Sequence, residues 1–135
     1  MNQQMLMGRK ILVIDESPEI TRGLADVFAD AGARVTESHR GKDAMQFIAW
    51  GGYDLIFVPV ATAEPDGSQI MEFITQSRPE LLRRTVVLTT EQLDQQAQAR
   101  LQYRYCSCLF LPLYHGSLVS YAVRALAFSE QRCAA

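Results

Sequence analysis

The chain is sparing in the residues that would assign it to several common classes. Three cysteines, an odd number confined to the C-terminal third, exclude a framework of paired disulfides. Apolar runs such as 55–61 stop far short of the about 20 residues a membrane helix needs. A secretory leader is not indicated either, because Arg9 and Lys10 follow the short apolar stretch Met5-Leu6-Met7 instead of preceding it. Positive charge is not in excess: 13 Lys and Arg face 15 Asp and Glu, a net charge of −2, which argues against direct nucleic-acid binding. Five prolines and eight glycines are scattered, with no tract or repeat that would mark a linker. What remains is globular composition, 48% hydrophobic and 21% charged, at a length that supports one core without a metal or disulfide staple. The expectation is one cytoplasmic domain with no membrane contact.

The residues present alternate between two patterns. Ile11-Leu12-Val13-Ile14 is apolar without interruption, as a strand buried on both faces requires. Ser17 and Pro18 then read as N-cap and first helical residue. Ile20, Leu24, Val27 and Phe28 give the following helix one apolar face, and Gly32 is placed to end it. Residues 33–38 form a more polar strand, nearer a sheet edge. Residues 41–50 form a helix with Ala44, Phe47 and Ile48 inward and Gly51-Gly52 as its stop. A strong strand signal follows at 55–58. Pro65-Asp66-Gly67 marks a turn, and Ile70, Phe73 and Ile74 a third helix ending near Arg78-Pro79. A strand at 85–88, a Gln-rich helix at 91–103, a strand at 108–111 and a helix at 118–127 complete the series. Five strands alternating with five helices imply βαβ units: an α/β fold with a five-stranded parallel sheet, doubly wound between two helical layers.

In such a sheet ligands bind beyond the carboxyl ends of the strands. Asp15-Glu16 follow the first strand, Pro59 ends the third, Thr89-Thr90 end the fourth, and Leu111-Pro112 the fifth. Asp15, Pro59, Thr89 and Leu111 are separated in turn by 44, 30 and 22 residues. This register, with the stretch 11–18 and the Asp66-Gly67 turn, resembles the receiver domain of two-component response regulators. The resemblance runs over about 10–128, leaving 1–9 as an N-terminal extension and 129–135 as a tail. It implies a CheY-like, flavodoxin-like (βα)5 three-layer sandwich and a role in phosphorelay signal transduction in bacteria.

The resemblance also carries site roles. Receivers hold Mg²⁺ on an acidic pair after the first strand, which Asp15 and Glu16 match, and use a Thr or Ser after the fourth, which Thr89 matches. Their phospho-accepting Asp falls on Pro59, their Lys on Leu111, and their aromatic switch position on Cys108. Proline offers no nucleophile and leucine cannot pair with a phosphoryl oxygen. The two losses remove one negative and one positive charge together, so neither leaves an unpaired partner. The expectation is a degenerate pocket of Asp15, Glu16, Pro59, Thr89 and Leu111, with no catalytic residue and no cofactor, and Mg²⁺ held weakly at best. Glu64 and Asp66 lie on the correct side but are not fixed by a strand. Pro59 should also make the third strand end or bulge at Val58.

Other residues have two readings. Asp15-Glu16 suit a metal site, or simply an acidic cap on the helix that begins at Pro18. Cys106 and Cys108, and the lone His39 and His115, read as inert thiols and solvated loop side chains. Tyr103, Tyr105, Phe110, Leu113, Tyr114 and Tyr121 read as core or as a protein-binding patch, in the segment receivers use for output and dimerisation. The leading expectation is a pseudo-receiver that contacts a protein partner, such as a sensor kinase, regulator or effector, or a second copy of itself, independently of phosphorylation and without enzyme activity. The alternative is a small-ligand sensor using the strand-end cleft of the same fold.

Overall fold

Strand β1 (Lys10–Ile14) is where the strand order reverses, with its successor on one side and the rest of the sheet on the other. In the computed structural model, which describes residues 5–59, 69–89, 94–96, 99, 107–111 and 115–134, it lies between β2 (Arg34–Ser38) and β3 (Leu55–Pro59). β4 (Thr85–Thr89) and β5 (Ser107–Phe110) extend the sheet in the order β2-β1-β3-β4-β5. Every pairing is parallel. The expected α/β fold is therefore the one observed.

The helices are α1 (Pro18–Asp30), α2 (Gly41–Trp50), α3 (Gln69–Ser77) and α4 (His115–Ala134), with a 3-10 segment at Pro79–Arg84 before β4. Alternate strand residues feed opposite layers. Ile11, Val13, Leu55, Phe57, Val86 and Leu88 pack with Leu24, Val27 and Phe28 of α1 and Leu118, Ala122 and Leu126 of α4. Leu12, Ile14, Ile56, Val58 and Val87 pack with Ala44 and Ile48 of α2, Ile74 of α3 and Leu81. Phe28 stacks on Phe57 with ring centroids 5.2 Å apart. The uninterrupted apolar runs of β1, β3 and β4 thus reflect burial on both faces. The more polar β2 is an edge strand, as its pattern suggested.

Several elements differ from the sequence reading. Ser17 stands at the N-cap of α1 but its side chain makes no cap bond. β3 does not stop or bulge at Val58: the pairs Ile56↔Thr85 to Pro59↔Leu88 are continuous, and Pro59 is its last residue. A proline there removes one donor at a point where the strand has no further residue to register, so the three preceding pairs keep the alignment. α4 begins at His115, which is helical and not in a loop. Leu6, unassigned by any periodicity, is fully buried in the α1–α4 layer. It is held by its N–H to Ala31 O (2.8 Å), and Gly8 N–H follows to Gly32 O (3.3 Å). The predicted helix over 91–103 lies largely outside the described residues. No helix among those described is long and apolar enough to cross a membrane.

Candidate functional site

The parallel register brings the expected strand ends to one edge of the sheet. β1 and β3 align from Ile11↔Leu55 to Val13↔Phe57, so Asp15 and Pro59 leave the ladder at the same level. Pro59 pairs with Leu88, one residue before Thr89, and Thr89 pairs with Phe110, one residue before Leu111. Asp15, Pro59, Thr89 and Leu111 therefore form a row across four adjacent strands, which steps outward by one residue at β4 and by one more at β5.

Local bonding fixes each of them differently. Asp15 is partly buried, and its Oδ1 accepts the Ser17 N–H at 2.9 Å. This closes an Asx turn that takes up a donor ahead of α1. Its own N–H donates to Ser38 O at 3.1 Å, joining the end of β1 to the end of β2. Glu16 is exposed. Thr89 is buried, and its carbonyl accepts the Leu111 N–H at 2.8 Å. The Leu111 side chain is partly buried and packs against the α1–α4 layer. Apolar packing thus holds it where a charged side chain would have to face the edge.

One polar group at this edge carried no sequence signal. The buried Thr21 hydroxyl of α1 donates to Pro18 O at 3.2 Å and lies 2.8 Å from His39 Nε2. The direction of the contact with the imidazole is set by the ring tautomer. His39 is also 3.9 Å from Glu37, which itself bonds Arg22 at 3.2 Å. His39 is exposed in the loop after β2, as expected, and its ring also ties the end of β2 to the first turn of α1. A lone histidine has no spacing that would reveal this.

The expected aromatic patch is only partly visible. Phe110 is 49% exposed at the end of β5, whereas Tyr121 is partly buried against the α1–α4 layer. Tyr103, Tyr105, Leu113 and Tyr114 lie outside the described residues, as do Glu64, Asp66 and Cys106. No group of three or more His, Cys, Asp or Glu able to hold a metal occurs among the described residues.

A doubly wound parallel sheet in the order 2-1-3-4-5, with polar residues gathered at its carboxyl edge, defines a flavodoxin-like domain. The model of the response regulator receiver domain matches residues 11–122, and the chain belongs to that family of two-component signalling domains. The fold is similar to NtrX from Brucella abortus, solved with ATP, at 21% identity and a TM-score of 0.76 over 93% of this chain and 28% of that one. It is similar to the receiver domain of the Francisella response regulator 1452 at 17% identity and a TM-score of 0.72, covering 93% of this chain and 99% of that one. A CheY-like receiver domain protein from Methanospirillum hungatei JF-1 gives 14% identity and a TM-score of 0.69, covering 90% and 97%. The chain thus spans just over a quarter of the NtrX protein and nearly all of the two isolated receivers. No curated protein sequence matches the chain significantly.

Proposed function

We propose that this chain is a pseudo-receiver: a receiver-fold module that acts by contact with another protein, without a phosphorylation cycle and without enzymatic activity. The observation that carries the reading is Pro59 at the last position of β3, level with Asp15 and beside Thr89. Aspartyl phosphorylation forms a bond between a carboxylate oxygen and phosphorus while the donor's leaving group departs. Proline has no side-chain nucleophile to form that bond. Leu111 offers no cation for a phosphoryl oxygen, and it is turned into apolar packing.

The remaining acids do not make up a magnesium centre. Mg²⁺ demands a near-ideal octahedron of oxygens. Asp15 already gives one oxygen to the Ser17 N–H, Glu16 is exposed, and the Pro59 side chain supplies none. The Asp15 carboxylate is better described as part of the turn into α1. The partner is a protein of the signalling pathway, such as a sensor kinase, regulator or effector, or a second copy of the chain.

The test is incubation of the purified protein with Mg²⁺ and a small-molecule phosphodonor, read by intact mass. The expected result is no added phosphoryl group under conditions that modify a working receiver in parallel. A stoichiometric gain mapped to a carboxylate would overturn the reading.

A further inference from the structure

At the opposite end of the sheet from Asp15, the last residue of α2 is the chain's single tryptophan. Trp50 is 70% exposed, more than any other large hydrophobic side chain among the described residues. The stripe that α2 turns to the sheet is Ala44, Phe47 and Ile48, and Trp50 lies outside it. Among the described residues its one aromatic contact is edge-on, to Phe47 at 5.7 Å and 79°. Core packing therefore does not account for its exposure.

Three cations converge on the turn that follows it. Arg78 donates Nη2–H to Ala49 O at 2.9 Å, Arg84 donates to Tyr53 O at 3.2 Å, and Lys10 Nζ lies 5.1 Å above the Tyr53 ring. The turn is shaped to admit them. Gly51 and Gly52 both have positive φ, and a β-carbon there would lie 3.1 Å from Arg78 Nη1 and 3.2 Å from Lys10 Nζ. The nearby acid, Asp54, is taken by the Lys10 backbone N–H at 2.9 Å and by Arg9 at 3.9 Å. Among the described residues, no carboxylate lies within ion-pair distance of the Lys10, Arg78 or Arg84 side chains.

We propose that Trp50, framed by Lys10, Arg78 and Arg84, is the anchor of a docking surface for an acidic peptide segment of a partner protein. An apolar side chain of that segment covers the indole, and its carboxylates meet the cations. Tryptophan at the centre of a charged rim is the usual arrangement of an interface hot spot. The same residues suit nucleic acid less well. Three cations on a chain of net charge −2 are few for a polyphosphate, and an edge-on Phe47 gives no row of parallel rings for successive bases.

The lone tryptophan makes its own emission the assay. The intact protein is titrated with a short peptide of Glu and Leu, with the same peptide carrying Lys for Glu, and with a thymidine oligonucleotide. The expected result is a saturable change in emission with the acidic peptide alone, weakened by added salt. By calorimetry, Lys10→Gln and Arg78→Gln each weaken binding, the pair together by at least about tenfold, and Trp50→Ala abolishes it. Lys10→Gln alters no hydrogen-bonded cap, so it remains informative if Arg78→Gln disturbs the end of α2; circular dichroism checks each variant. An absent response, an equal response to the Lys peptide, tighter binding of the oligonucleotide, or undiminished affinity in Trp50→Ala would each overturn the proposal.

Discussion

Replacing Pro59 by Asp and Leu111 by Lys, singly and together, measures whether the two positions face one another. β4 lies between β3 and β5, and Pro59 is level with Leu109, two residues short of Leu111, so two strand spacings and two residues of rise separate them, about 12 Å. A lysine stem spans roughly 6 Å, which leaves about 6 Å between ammonium and carboxylate. At an effective dielectric of about 20 the attraction is about 3 kcal/mol, and partial exposure of both sites cuts it to about 1–2 kcal/mol. Leu111→Lys alone withdraws apolar contact from the α1–α4 layer and brings a charge to it, costing about 1–3 kcal/mol. Pro59→Asp alone sets a third carboxylate beside Asp15 and Glu16, costing about 1 kcal/mol. The double variant should therefore be more stable than the sum of the single effects by about 1–2 kcal/mol. Urea unfolding followed by circular dichroism gives the four stabilities, compared at equal m-values. Single effects that add within about 0.5 kcal/mol would refute the reasoning, because the substitutions would then be independent losses and not two halves of one change.

Three further outcomes follow from the packing. Leu6→Ala opens a cavity in the α1–α4 layer, where Leu6 is fully buried, and should lower the stability by about 2–5 kcal/mol in urea unfolding. Thr21→Val keeps the shape but removes the hydroxyl that bonds Pro18 O and the His39 ring; because His39 is exposed to water, a loss of only about 0.5–1.5 kcal/mol is expected in the same assay. Gly51→Ala must hold φ near 77° with its β-carbon against Arg78, and should lower the stability by about 1–2 kcal/mol; an unchanged melting temperature would contradict that account.

The parts of the fold that showed in the sequence were those written by local rules. Uninterrupted apolar runs at β1, β3 and β4 announce strands covered on both sides, and the polar β2 announces an edge. Gly32, with φ 98°, ends α1 as its position suggested. The strand-end row of the candidate site was legible for the same reason, since register follows from strand spacing once the strands are placed. Leu6 was not legible, because one leucine between two methionines has no period and its burial depends on carbonyls of Ala31 and Gly32 far along the chain. The contact made by His39 was missed likewise: its partner Thr21 lies 18 residues away. The rule that proline interrupts a ladder misjudged Pro59, because the rule concerns strand interiors and Pro59 sits at the end.

Arg9, just ahead of β1, meets Glu130 near the end of α4 at 2.6 Å. Both partners are partly exposed, so the pair contributes little to stability. Its significance is topological. Residues 9 and 130 are neighbours in space, and the domain is close to a closed ring. A circular permutant that joins the end of α4 to the residues ahead of Leu6, so that this buried side chain is kept, and opens elsewhere would keep the strand order β2-β1-β3-β4-β5 intact. The path through this sheet is thus a cycle, and β1 leads it only by convention.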